Sequence, residues 1–453
     1  MKPLAIDLFC GAGGMSEGII QAGFNILFSS DINEYVEKTY THRHQQLGLI
    51  HGINTFFKRA DVRDLDKETI INSVLSLEMY KGKKFPTIDA IFGGPPCQGF
   101  SRAGLRRQDD PRNMLFKEYL RIINEIRPRY VVMENVEGFM DTRLNGYIGI
   151  KGRKYLDNSL LPNILKQEFD DIEYNVLEPR ILDASNYGVP QRRKRVIFIA
   201  HLEGENTPNY PKPITPNDED KITVLKAIGD LVVDPKVKEK LDLPRSTYQI
   251  ESQLGRTKTV FGKTISSTDC PHNHELAKHN NIIKERFSLF KQGETTTSLI
   301  KRIFDKGIDL GECPLLVEEC KRLLNDQYTT AEIISRFNIG DVTQELVTAL
   351  LTKKSNRYRM ASDLVAPTMV TLPDDYLVPF ENRIPTVREM ARLQSFDDSF
   401  IFLGKRTTGG QRRKEEVPQY TQVGNAVPPL LAKAIASEIK KALQVEQVHL
   451  VNS

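Results

Sequence analysis

IDLFCGAGGMSEG, residues 6–18, runs from a short apolar stretch through Gly11, Gly13 and Gly14 into a helical pattern. Glycines there let backbone approach a ligand with no Cβ in the way, and the following helix presents free N–H groups. The same cluster also suits a tight strand-to-helix turn with no ligand at all. Asp31 favours the ligand. It ends the next apolar run, NILFSSDI (25–32), about 20 residues past the first glycine, where dinucleotide folds place an acid on ribose hydroxyls. The spacing is G-x-G-G and lacks the G-x-G-x-x-G of pyrophosphate binders, so a nucleoside ligand without phosphates is expected. Asp61, in RADVRDL (59–65), is a candidate partner for an adenine amine, or else a solvated loop acid.

Further apolar runs follow at IDAIFGG (88–94), RYVVMENV (129–136) and RVIFIAHL (195–202), separated by amphipathic stretches. That alternation predicts an α/β fold with a parallel sheet flanked by helices. The texture changes at ENTPNYPKPITPNDED (205–220), where prolines, asparagines and acids crowd together as in a surface linker. Two units are expected: residues 1–205 with 420–453, and residues 206–419. The amphipathic LLAKAIASEIKKAL (430–443) is placed with the first.

The 453 residues are 40% hydrophobic and 27% charged, enough for a large core. No stretch nears the roughly 20 apolar residues of a membrane span, and neither export signal nor anchor is expected. Five cysteines at irregular spacing argue against a disulfide framework and for a reducing, cytoplasmic setting. A net charge of +4 permits a polyanionic partner without requiring one.

Cys97 sits in GGPPCQGFS (93–101), directly after an apolar run, which places it at the carboxyl edge of the sheet, where such folds bind ligands. Pro95 and Pro96 fix φ and suit a group that must be aimed, although a buried structural cysteine is the commoner reading of a lone thiol. Glu134 and Asn135 end the next run at the same edge. Arg193 and Arg195 alternate before RVIFIAHL and are expected to share a face. A thiol, a carboxylic acid and fixed guanidiniums beside a nucleoside pocket suit attack on an electron-poor ring such as cytosine. There, thiolate addition at C6 makes C5 nucleophilic while an acid at N3 and a cation at O2 absorb charge.

Six blocks now stand in order: DLFCGAGG (7–14), GGPPCQGFS, MENVEGF (133–139), NYGVPQRRKRVIFIA (186–200), TVREMARLQSFDD (386–398) and QVGNAVPP (422–429). Together they resemble the cytosine-C5 DNA methyltransferases. The resemblance implies a Rossmann-like, doubly wound class I methyltransferase sheet with an inserted, irregular target recognition domain, and S-adenosylmethionine as cofactor. It implies that Phe9, Gly11, Gly13 and Pro95 shape the cofactor pocket, Asp31 holds the ribose, Asp61 the adenine amine, and Asn425 the methionyl end. Cys97 would be the nucleophile, Glu134 would meet N3 and the exocyclic amine, and Arg193 and Arg195 would position the cytosine. SRAGLRRQDDPRN (101–113) resembles the loop that closes over a flipped base, with Gly104 as hinge. Two positions depart from the pattern: Lys194 stands where an acid is common, and Ile32 where an aromatic often stacks on adenine.

The expected partner is duplex DNA, bound by a monomer, on the nucleoid if the source is bacterial. A cognate restriction endonuclease would be a functional partner. A DNA-binding regulator without turnover and an RNA methyltransferase are the alternatives; PCQGFS (96–101) favours the DNA enzymes. YTTAEIISRFNIGDVTQELVTALL (328–351) reads as two short helices sharing Ala331, Ile334, Phe337, Ile339, Val342 and Leu346, either a helix-turn-helix or a buttressing pair. Cys270, His272, His274 and His279 do not match a common finger, and no metal is expected.

Overall fold

The computed structural model describes residues 2–96, 114–241, 243–352, 354, 356–408, 410 and 412–451. Cys97, Gly104 and the arginines of 101–113 lie outside the described residues. Parallel strands β1 (Leu4–Leu8), β2 (Asn25–Asp31), β3 (Phe56–Arg59), β4 (Ala90–Gly93) and β5 (Tyr130–Asn135) stand in the order β3-β2-β1-β4-β5. A short antiparallel pair, β6 (Arg143–Leu144) and β7 (Ser159–Leu160), decorates the connection beyond β5. β8 (Tyr174–Val176), β9 (Arg180–Asp183) and β10 (Lys194–Leu202) complete the main sheet, with β10 antiparallel beside β5. This last strand departs from the all-parallel expectation. An apolar run carries no direction, and the β9–β10 hairpin reverses the chain here.

Helices cover both faces, as strands buried on both sides require. α1 (Gly14–Ala22) and α2 (Glu34–Gln46) follow β1 and β2, and α3 (Lys67–Leu75), α4 (Leu115–Ile126) and α5 (Leu161–Asp171) cover the opposite face from α1. Gly13 caps α1 in the left-handed region at φ 101°, and Asn33 caps α2 by accepting from the Tyr35 and Val36 N–H groups. The C-terminal helix, Pro429–Val451, lies against α1 so closely that a Cβ on Gly18 would sit 2.5 Å from the Pro429 carbonyl. Its Leu431, Ile435 and Ile439 join Ile19 and Ile26 in one core. Among the described residues, no helix is long and apolar enough to cross a membrane.

The remaining chain is mainly helical. α6 (Val224–Ile228), α7 (Pro235–Leu241) and α8 (Thr247–Leu254) precede a bundle of α9 (Asn281–Ser288), α10 (Thr296–Lys306), α11 (Pro314–Leu323), α12 (Thr330–Ile339) and α13 (Gln344–Ala349). A short parallel pair follows, β11 (Tyr358–Arg359) and β12 (Tyr376–Leu377), and then α14 (Val387–Leu393), α15 (Arg412–Glu416) and α16 (Gln419–Asn425). Residues of α6, α8, α14 and α16 share a core with Ala12 of the glycine loop.

The α12–α13 pair is present, and Ile334, Phe337, Val342 and Leu346 of the expected set lie in or against its core. Ile333 and Phe337, one turn apart, pack with Leu346 and Val347, whereas Ala331 is exposed and Ile339 is 73% exposed. Gly340 ends α12 in the left-handed region and leaves Ile339 beyond the buried stripe.

Buried ion pairs fasten α1 to the distal segments. Arg43 forks onto Glu17 at 2.8 and 3.1 Å, Arg256 meets Asp397 at 3.0 Å, and Thr257 donates to Glu17. Removing one partner of such a pair costs about 3–5 kcal/mol, because the other charge stays buried and unmatched. These pairs therefore hold residues 256–257 and 397 in fixed register with the helix that follows the glycine loop.

Candidate active site

Strand order reverses between β1 and β4, and in doubly wound sheets the crevice beyond the carboxyl ends of such strands is where ligands bind. The glycine loop leaves β1 at this point, and Gly94-Pro95-Pro96 leaves β4 beside it.

On the β1 side, Phe9 at φ 57° and Gly11 at φ 54° turn the chain through the left-handed region. The Gly11 N–H donates to Asp31 Oδ2 at 3.1 Å, and the Asn33 N–H to Asp31 Oδ1 at 3.0 Å. A Cβ on Gly11 would meet nothing within 4 Å, so open space lies beside the loop. Desolvation raises the Asp31 pKa, with the backbone donors opposing it. A ligand hydroxyl donating to this carboxylate would offset that burial cost. Ile32, 64% exposed, leaves an apolar side chain free beside it. Asp61 lies near in the sheet, since the Ala60 N–H donates to the Asp31 carbonyl at 3.1 Å. Its carboxylate is engaged by the Arg63 fork, which holds its pKa below the ordinary carboxylate value. Asn425 is exposed at the end of α16, and the segment after it closes on the glycine loop: a Cβ on Gly14 would come within 2.3 Å of the Val427 carbonyl.

Asp7 lies behind this loop with 1% exposure; it accepts from Ser16, and Oδ1 has no hydrogen-bond partner among the described residues. Burial, with Asp31 adding to it, lifts its pKa from 3.8 to about 7. The folded chain thus keeps a proton that the unfolded chain releases near pH 4, so stability falls as pH rises from there to about 7 and then levels off. Asp7→Asn removes this slope. The unfolding free energy of the variant relative to wild type is expected to improve by about 2–4 kcal/mol between pH 4 and pH 7, read from urea unfolding. A difference constant across that range would contradict the assignment.

On the β4 side, Asn135 Nδ2 donates to the Pro95 carbonyl at 3.1 Å, stapling the end of β5 to the segment that leads into Cys97. A Cβ on Gly94 would lie 3.2 Å from Glu134 Oε2, so the carboxylate rests against that backbone. Arg195 Nε meets Glu134 Oε1 at 2.7 Å across the antiparallel β5–β10 ladder, with both side chains only slightly exposed. Arg193 is placed differently. Its guanidinium is buried and donates to the Met369 and Gly424 carbonyls at 3.3 and 3.0 Å, and Nε has no partner among the described residues. Desolvation pushes its pKa down, the Arg195 charge adds to this, and Glu134 opposes it. Arg193 thus ties the strand entrance to the segment that carries Asn425, and Arg195 is the guanidinium that faces Glu134.

Residues outside the expected set hold this edge together. Gln191, fully buried, donates to the Leu393 carbonyl at 3.1 Å and accepts from the Met369 N–H at 2.8 Å. The Tyr119 hydroxyl donates to the Val132 carbonyl at 2.9 Å, and its ring would collide with any Cβ on Gly93. Gln191 stands inside a quoted block, yet a glutamine at a strand entrance reads as surface; the paired glycines before the prolines are the one local signal of close approach. His274 bonds Thr386 Oγ1 at 2.9 Å and the Leu231 carbonyl at 2.8 Å, a crosslink that uses both ring nitrogens.

The C-5 cytosine-specific DNA methylase family model matches residues 4–441. The chain is 32% identical to the type II methyltransferase M.DdeI of Desulfomicrobium norvegicum over 99% of this chain and 90% of that one. It is 28% identical to the type II methyltransferase M.AgeI of Thalassovita gelatinovora, over 97% and 99%. A crystal structure from an E. coli prophage, described as a DNA modification methyltransferase, shares the fold with a TM-score of 0.62 at 22% identity, over 98% of this chain and 100% of that one. With a match running through both sides of the crevice and almost end to end, the chain belongs to the C-5 cytosine-specific DNA methylases and is a DNA methyltransferase.

Proposed function

We propose that the protein methylates C5 of a cytosine swung out of duplex DNA, with S-adenosylmethionine as donor and Cys97 as transient covalent anchor. The observation that carries this is the Glu134–Arg195 pair resting on the Gly94–Pro95 backbone, one crevice wall from the Gly11–Asp31 loop. Phe9, Gly11, Gly13 and Pro95 would shape the nucleoside pocket, Asp31 would accept from the ribose diol, Asp61 would meet the adenine amine beside Ile32, and Asn425 the methionyl end. S-adenosylmethionine supplies, when bound, an electrophilic methyl group that C5 takes.

The remaining chemistry belongs to the chain. The Cys97 thiolate forms a bond to C6, and the displaced electron pair moves into the ring, where Glu134 in its acid form donates a proton to N3. Arg195 holds the Glu134 carboxyl and places positive charge beside the base, and Arg193 holds the strand entrance in position. Once C5 is methylated, water takes the C5 proton, the S–C6 bond breaks to release the Cys97 thiolate, and N3 returns its proton to Glu134, which restores the aromatic ring and the acid. Lys194, which points away from this cluster in sequence alternation with Arg193 and Arg195, has no part in the step.

Residues 206–419 would contain the sequence-reading part, and the names of the type II relatives support a protective role beside a restriction endonuclease. The protein would act as a cytoplasmic monomer. Incubation with tritiated S-adenosylmethionine and duplex genomic DNA is expected to place label in 5-methylcytosine on nucleoside analysis. Label in transfer RNA with none in the duplex would replace this reading with the RNA one.

A further inference from the structure

The connection from β5 to α5 spans residues 136–160, about 25 residues, where such connections usually take about 2–6. Loops of that length with their own structure are usually functional. This one is a built lobe. Its ends pair through β6 and β7, and an inner turn pairs Ile148 with Lys154. Glu168 of α5 clamps it from below, accepting from the Ile150 N–H and the Tyr155 hydroxyl, both at 2.7 Å. Arg153 forks onto Asp171, and the Gly146 N–H donates to Asp157 at 2.7 Å. Tyr147 is buried against Phe116 at the start of α4, and Lys117 Nζ donates to the Ile148 carbonyl at 2.7 Å. The lobe is therefore ordered by side chains of its own and of two helices.

Its position is fixed by the strand it follows. Val136 comes one residue after Asn135 and two after Glu134, and α4 and α5 both begin at this carboxyl edge, so the lobe stands over the same edge as the crevice. Its outer surface carries charges of both signs, with Asp141 and Asp157 exposed as well as the cations, and is partly apolar. Arg143, Lys151 and Lys154 are exposed and make no ion pair among the described residues, and Leu156 is 84% exposed among them. A buttress for α4 and α5 would need the buried Tyr147 and Glu168 contacts, but not three exposed cations without an ion pair among the described residues and an exposed leucine on the same lobe. A nucleic-acid backbone presents what this surface lacks: phosphates for the cations and a deoxyribose face for the leucine.

We propose that residues 136–160 form a sequence-independent DNA contact, in which Arg143, Lys151 and Lys154 bind phosphates flanking the target base and Leu156 packs on a sugar. This rests on DNA being the substrate, and it is separate from base reading by the recognition part of the chain. Each phosphate neutralised releases a counterion, so such a contact writes itself into the salt dependence of binding.

The test uses the full chain and a fluorescein-labelled duplex of about 40 base pairs in a KCl series, followed by anisotropy. Lys151→Glu/Lys154→Glu is expected to flatten the slope of log K against log salt by about 2 and to weaken binding about 10-fold near 0.1 M salt. Lys81→Glu/Lys83→Glu changes net charge equally on exposed residues preceding the opposite end of β4, and should keep a slope near that of wild type. A lobe variant with the same slope as this control overturns the proposal. Should the glutamate variant melt below wild type, Lys151→Gln/Lys154→Gln is read in the same way, since neutralisation alone removes the phosphate contacts. Failure of the wild-type chain to bind the duplex would count against duplex DNA as the substrate; a difference between lobe and control concerns the lobe alone.

Discussion

Cys97→Ala is expected to lower methyl transfer to DNA by at least about 10⁴-fold while cofactor and duplex binding stay within a factor of about 3 of wild type. C5 of cytosine is a poor nucleophile as long as the ring stays conjugated, and the account assigns its activation to one bond, from the Cys97 sulfur to C6. With that bond gone, the Glu134 and Arg195 contacts still orient the base but no longer place an electron pair on C5. Cys97→Ser should fall nearly as far, since an unactivated hydroxyl adds to C6 far more slowly than a thiolate. Single-turnover transfer of labelled methyl groups, with cofactor binding followed separately, tests this. Retention of more than about a tenth of the wild-type rate by the alanine variant would remove the thiol from the chemistry.

Glu134→Gln should reduce the single-turnover rate by about 10²- to 10⁴-fold, the range for a lost proton donor in a developing transition state. The substitution keeps the shape that fits against Gly94 and faces Arg195 but removes the proton donor. Arg195→Ala should also slow the reaction, and the double variant should lose less than the product of the two single losses, because each residue acts partly through the other. Rates within a factor of about 3 of wild type for Glu134→Gln would refute the assignment of the N3 proton to this residue.

Much of this site can be read in the sequence because its parts are local. A glycine loop after an apolar run and an acid about 20 residues on each carry their meaning within a short window, whereas the thiol expected at Cys97 lies outside the described residues. The α/β class follows from the same alternation. What escaped notice is non-local. The direction of β10 depends on a hairpin with β9, and that direction sets Ile197 across from Glu134 and Arg195 diagonally within reach of it. Arg193 looks equivalent to Arg195 in the sequence. Its fate is decided by carbonyls of Met369 and Gly424, 176 and 231 residues away, which no local pattern can announce. Helical spacing assigns Ile339 to a core, yet Gly340 ends the helix and Ile339 stays exposed. The lobe at 136–160 is non-local too: its order comes from Glu168 and Phe116, outside the segment itself.

Fluorine at C5 offers the most direct probe of the covalent step. It takes the place of the proton that must leave before the S–C6 bond can break, so an enzyme that attacks C6 should remain bound to its substrate. Duplex copied with 5-fluorodeoxycytidine triphosphate in place of the ordinary nucleotide carries the analogue at every cytosine, whatever sequence the protein reads. With S-adenosylmethionine present, the wild-type chain should form a complex with this DNA that survives denaturing electrophoresis and maps by mass spectrometry to Cys97, and Cys97→Ala should form none. A wild-type preparation that methylates ordinary cytosine yet yields no such complex would contradict the account.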